Sequence, residues 1–406
     1  MLNRRQLLAS TAALALGGPA PCAFAADKPP IKIGAILPMT GPSADHGSLY
    51  NVALKLAVED VNAAGGINGG KLELMLEDDR SLVPVAVGCF RKHERQSAVV
   101  VLGPPTAACW EAVEPITKEI KLPWSLCFTG TRARTSAQPY ALRMAPPDDT
   151  ATPEGVAEFM KLHPAVKTIA IGGDAQDAVG MEFIASVARG FGLQIVATAA
   201  CQPRTDDFSP DALKIRDANP DAVFIGARET TSLSLVKALE AQGFDKPILL
   251  NSLAWASAGF IHAVGAAGGN VYTIGFSTND PDPANPQYNA YLKRFIESTG
   301  ATTKLPQPVN VCNTTLAYDA VFLVADIMRR GGVDGDTTAA QARELIKAGL
   351  DGLKTYQGFN KITLRDSSDG HIQCHLLKAN AQTRQWDYAL AADQRIKTPA
   401  AFKARG

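Results

Sequence analysis

The strongest constraint on this fold is an alternation. Short apolar, β-rich runs are separated along most of the chain by longer segments whose apolar residues recur at helical spacing. The run 31–37 ends at Pro38, and 49–61 follows with Val52 and Leu56 one turn apart. The series continues with strand 71–76, helix 83–95, strand 99–102, helix 107–120 and strand 124–127, four strand–helix steps before Met144. A second series holds strands at 168–171, 194–198, 222–225 and 247–251, with helices at 181–190, 210–217 and 231–242. Such alternation predicts parallel sheets covered by helices on both faces.

After Ile274 the pattern changes. The loop Asp280-Pro281-Asp282-Pro283-Ala284-Asn285-Pro286 leads to helices at 287–299, 315–330 and 338–348, then to strands at 361–364, 371–378 and 385–390 with a turn at Asp369-Gly370. Helices arriving after a second sheet should be complete predict a return to the first lobe. The expected fold is therefore α/β, with two doubly wound parallel-sheet lobes crossed by several connections that form a hinged cleft. The lobes are expected at 26–145 plus 277–352 and at 146–276 plus 353–406, with connections near Ala145-Pro146, Ile274-Gly275 and Leu353-Lys354.

Length and charge narrow the class. At 406 residues the chain has room for two to three domains, and 40 basic residues against 40 acidic ones give no excess for a polyanion. Nucleic acid is not an expected partner. Residues 1–25 read as an export signal: Arg4-Arg5, an apolar run from Leu7 to Leu16, then Ala23-Phe24-Ala25 as the cleavage pattern. The n-region is similar to a twin-arginine signal, with Asn3 where Ser or Thr is usual, so the Sec route stays open. Cys22 follows Pro19-Ala20-Pro21, which lacks the apolar residue of a lipobox. The expected product is a soluble periplasmic protein. Its six cysteines are widely spaced, which excludes C-x-x-C motifs; isolated buried thiols are the simpler reading, with a bridge or two left open.

Catalytic signatures are missing. No G-x-G-x-x-G follows a strand, and neither G-x-x-x-x-G-K-[ST] nor G-x-S-x-G occurs. His371 and His375 fall at i, i+4 on one expected strand, where an exposed strand face outweighs a metal site. Asp78-Asp79 and Asp206-Asp207 sit beside loops, where solvated charge or helix capping outweighs acid–base chemistry. The chain is read as a non-enzyme without cofactor or metal. The stronger signal is positional, because ligands of open α/β sheets bind outside the carboxyl ends of the strands. There the sequence puts Thr40-Gly41 with His46, then Pro105-Thr106, then Thr129-Gly130-Thr131, pairing small residues with hydroxyls.

With these residues in view the chain resembles the type I periplasmic binding proteins of ABC importers, specifically the leucine/isoleucine/valine-binding group. The resemblance is carried by Ile31-Lys32-Ile33-Gly34-Ala35 running into Thr40-Gly41-Pro42, by the block from Ala57 to Gly69 that includes Glu59-Asp60-Val61-Asn62, by Glu77-Asp78-Asp79 and by Val101-Leu102-Gly103-Pro104. It implies two lobes joined by three crossovers, closure on a ligand, and delivery to an ABC permease in the inner membrane by a monomer. By position, the implied ligand contacts are His46, Pro105, Thr106, Gly130 and Thr131, with the loops 177–180, around Val179, and 226–228 in the second lobe. The amino-acid binders of this group carry an acid for the ligand ammonium near Asn251-Ser252-Leu253-Ala254-Trp255, and this chain has none there. Arg228, just after strand 222–225, offers a guanidinium for a carboxylate or a rim salt bridge. His46, Trp255 and Phe276 offer aromatic walls or core packing. The preferred ligand is a small or aromatic organic acid; a ligand-sensing receptor or regulator component of the same fold and a true branched-chain amino-acid binder are the alternatives.

Overall fold

The computed structural model describes residues 28–41, 43–126, 140–175, 177–202, 207–227, 229–250, 258–264, 269–307, 309, 311, 314–364 and 370–396. The first half runs β1 (Ile31–Leu37), α1 (Ala44–Ala63), β2 (Leu72–Asp78), α2 (Val83–Arg95), β3 (Val100–Leu102), α3 (Ala107–Ile120), β4 (Trp124–Leu126) and β5 (Ala141–Arg143). These strands form one parallel sheet in the order β2-β1-β3-β4-β5.

The second half runs α4 (Asp148–Leu162), β6 (Thr168–Asp174), α5 (Ala178–Gly190), β7 (Gln194–Cys201), α6 (Ser209–Asp217), β8 (Ala222–Gly226), α7 (Glu229–Ala241), β9 (Ile248–Leu250), α8 (Ala258–Val264) and β10 (Val271–Gly275). There follow α9 (Pro286–Thr302), α10 (Thr314–Arg330), α11 (Ala339–Asp351), β11 (Thr355–Gln357), β12 (Lys361–Leu364), β13 (Gly370–His371), β14 (His375–Asn380) and β15 (Gln385–Tyr388). The second sheet is ordered β15-β14-β10-β9-β8-β6-β7, with β14 and β15 antiparallel, and β11, β12 and β13 make a third, small sheet.

The late helices return to the first sheet for a specific reason. Asp60 on α1 takes the Arg294 guanidinium of α9 at 2.5 Å and the Tyr318 hydroxyl of α10 at 2.7 Å, and both helices pack on α1. Apolar burial supplies the rest: one buried cluster runs through both halves by way of Met144, Ala145, Ile274 and Phe276, and separate clusters close the opposite face of each large sheet.

Some elements correct the sequence reading. β5, α4, α8, β10 and β11 were not foreseen; β5 and β11 are three residues long, too short to show a period, and α4 begins beyond Pro146-Pro147 and contains Pro153. The expected strand 371–378 is broken: β13 pairs with β12, β14 pairs with β10, and residues 372–374 belong to neither. The β11–β12 hairpin is held by α10, since the Phe359 and Asn360 amides donate to Asp319 at 2.8 and 3.0 Å. The chain thus reaches the second sheet for the last time only at β14. Cys89, Cys109, Cys201 and Cys374 are buried and in no disulfide, while Cys127 and Cys312 lie outside the described residues.

Candidate functional site

In both large sheets the strand order reverses at one point, between β1 and β3 in the first and between β6 and β8 in the second. Beyond the carboxyl ends of such strands the loops diverge and leave a crevice. The loop after β1 is pinned by Asp78, whose carboxylate accepts from the Met39 amide (2.9 Å), the Thr40 amide (3.2 Å), the Thr40 hydroxyl (2.7 Å) and the Arg80 amide (2.9 Å). Burial raises the pKa of this carboxyl, but the donors outweigh burial and the net direction is downward. Asp79 beside it is fully buried, pushed upward by desolvation, and accepts from the Ser81 amide at 2.8 Å. Neither is solvated charge or a helix cap: Asp78 clasps the loop after β1 to the end of β2, and Asp79 closes the local turn to Ser81. Asp207 accepts from the Ser209 amide at the start of α6, and Asp206 lies outside the described residues.

The loop after β3 crosses the end of β1 at close quarters. Gly103 has φ +87°, and a Cβ there would stand 2.1 Å from the Ile36 carbonyl oxygen. Its own carbonyl accepts from the Trp124 indole N–H, and Trp124 stacks at a tilt on Trp110, 4.8 Å between centroids. This buried indole pair carries the loop that delivers Pro105 and Thr106, both half-buried. Thr106 is the N-cap of α3 but makes no side-chain bond to that helix. His46 is half-buried in the first turn of α1.

In the second half, Asp177 caps α5 by accepting from the Gly180 amide at 2.9 Å, and Val179 in the same turn is 58% exposed. Phe276 is buried in the core cluster just beyond β10, so packing is what the structure assigns it. Thr129, Gly130, Thr131, Arg228 and Ser252, like Trp255, lie outside the described residues.

Sequence reasoning missed a charged group at the end of β5. Arg143 is buried, with its guanidinium carbon 5.9 Å from the Trp110 ring centre. Asp148, in the first turn of α4, is pushed up to about 7: desolvation is the main cause, Asp149 and Asp177 add to it, and Arg143 opposes it. Arg143 at the end of β5 and Asp177 at the N-cap of α5 thus act in opposite senses on one carboxyl. Asp174, the last residue of β6, is buried and accepts from Thr231 of α7 at 2.7 Å. The missed strand hid Arg143; the signal was the apolar run Tyr140-Ala141-Leu142 before it. A groove of about 590 Å³ lined by Ile171, Met181, Arg189, Ile195 and Thr198, among others, runs along α5 and β7 and holds none of the expected contacts.

The model of the periplasmic binding protein family matches residues 30–382. The chain belongs to that family. This binding protein resembles several relatives that carry names of leucine-, isoleucine- and valine-binding proteins. It is 25% identical to the leucine-, isoleucine-, valine-, threonine- and alanine-binding protein of Pseudomonas aeruginosa over 82% of its length and 86% of the relative's. It is 26% identical to the Leu/Ile/Val-binding protein BraC3 of Rhizobium johnstonii, over 84% and 88%. Among solved structures it is similar in fold to the substrate-binding protein LivJ of Streptococcus pneumoniae bound to isoleucine, at TM-score 0.73 and 20% identity over 87% of this chain and 97% of that one. An extracellular ligand-binding receptor from Rhodopseudomonas palustris gives the same TM-score at 19% identity over 89% and 100%. No helix among the described residues of this binding protein is long and apolar enough to cross a membrane.

Proposed function

We propose that the protein is exported to the periplasm with cleavage near Ala26, captures a small organic acid between its lobes, and delivers it as a non-catalytic monomer to an inner-membrane ABC permease. The lobes are 26–145 with 277–352 and 146–276 with 353–406, the hairpin 355–364 riding on α10 of the first. His46, Pro105, Thr106, Thr129, Gly130 and Thr131 line the first-lobe side; Val179, Arg228 and Ser252 line the second, with Phe276 behind them. The observation that carries this reading is the pair of switch points, beyond whose strands His46, Pro105, Thr106 and Val179 follow in the chain. The absence of an acid near Ser252, where the group's amino-acid binders carry one, supports an acid over an amino acid, with Arg228 as the carboxylate partner. The names of the relatives support the second reading, a branched-chain amino acid.

The test uses protein made with its own leader and purified from the periplasmic fraction. A thermal-shift screen of aliphatic and aromatic acids, their amides, and leucine ranks the ligands, since binding to the folded state alone raises its melting point. Arg228→Ala is expected to weaken the best acid roughly 30-fold to several-thousand-fold, about 2–5 kcal/mol, and its amide far less. Tight binding of leucine by the unmodified protein instead establishes the amino-acid reading.

A further inference from the structure

Two glutamates on α4 have no place in the ligand site, yet they are among the most buried charged residues of the protein. Glu154 and Glu158 are one helical turn apart, so their side chains leave the same face of α4, and they are 1% and 0% exposed. A buried carboxylate is costly unless each oxygen finds donors. All four oxygens find them in the last part of the chain. Glu154 meets the His371 Nε2 at 2.8 Å and accepts from the Cys374 amide at 2.8 Å. Glu158 meets the His375 Nδ1 at 3.0 Å and accepts from the Leu376 amide at 2.7 Å and the Ile396 amide at 2.8 Å. Burial alone raises the Glu158 pKa, but these donors outweigh it and hold the carboxyl below its ordinary range.

The location gives the contacts their meaning. Residues 372–374 lie between β13 and β14 and belong to neither strand, and the Cys374 amide there donates to the Glu154 carboxylate. At Gly370 a Cβ would stand 2.4 Å from the Met144 carbonyl oxygen and 2.9 Å from that of Arg143, so the third connection lies directly on the first. We infer that Glu154 and Glu158 form a two-step carboxylate–imidazole clamp that fastens the third connection to α4, so that from His371 onward it moves as part of the second lobe. Both the first and the third connection are then anchored on one helix, which fixes where the lobes can bend relative to each other. The clamp presupposes the two-lobe reading, but its test is made without ligand and does not depend on transport.

Hydrogen exchange of the full-length mature protein reads the clamp through its amides. Glu154→Gln and Glu158→Gln each turn an acceptor toward donors as an amide group, and are expected to speed exchange over 370–376 roughly tenfold while β12 and α10 keep the wild-type rates. His371→Gln, which retains a donor near the position of Nε2, should stay close to wild type, whereas His371→Leu should behave like Glu154→Gln. Unchanged exchange over 370–376 in the folded glutamine variants overturns the inference. Acceleration spread evenly over both lobes overturns it too, because that is general destabilisation. If Glu158→Gln fails to fold, the comparison of His371→Gln with His371→Leu decides: equal rates overturn the clamp, and a faster leucine variant supports it.

Discussion

Gly103 shows how one residue sets the site. The loop after β3 must pass over the end of β1 to bring Pro105, Thr106 and the start of α3 to the switch point, and the approach to Ile36 leaves no room for a side chain. Its φ of +87° adds a conformational cost for any other residue. Gly103→Ala is therefore expected to lose at least about 2 kcal/mol of stability, measured by urea unfolding of the purified protein. A loss below about 0.5 kcal/mol would mean that the loop relaxes away from β1. The motif Gly103-Pro104-Pro105-Thr106 was legible in the sequence as a small-residue loop at a strand end. That its glycine is fixed by a carbonyl of another strand was not, because Ile36 lies 67 positions earlier in the chain.

Between elements, the β11–β12 hairpin depends on a single buried acid. Asp319 of α10 accepts from two amides of the hairpin and from the Asn360 side chain at 3.0 Å, and Asn360 also donates to Thr315, which is 3.3 Å from Ser277 beyond β10. Desolvation raises its carboxyl to about 6 against the pull of those donors. The folded protein then keeps a proton that the unfolded chain has released, so the stability tied to this group is full below about pH 4 and is lost as pH rises toward 6. Asp319→Asn removes that dependence. Its stability relative to wild type should climb between pH 4 and 6 by on the order of 2 kcal/mol, whatever constant offset the lost acceptor introduces. Parallel urea midpoints across this range would show that the carboxyl titrates normally. At the same scale the helices at 83–95 and 107–120 were readable residue for residue, since an amphipathic period needs only local spacing. β5, β10 and the break at 372–374 were not, because short strands are defined by their partners.

At the scale of the whole molecule, the proposed capture of a ligand between two lobes calls for a hinge that bends without unfolding either lobe. Small-angle scattering on the purified protein should show compaction when a ligand found by the thermal screen is added to saturation, and an unchanged profile from an open apo form would count against closure. The sequence by itself determined the α/β class, the two successive parallel series and the return of the late helices to the first sheet. Those features follow from periodicity and from residue types at element ends, which are local. Tertiary structure decided the rest: that Asp78 clasps the ends of two strands, that Arg143 is buried beside the Trp110 ring, and that two histidines expected on one strand face are held by separate glutamates of α4. The physical reason is common to all three. A charged side chain in water reads the same whether it stays there or not, and only the partners brought by folding from far along the chain can compensate its burial.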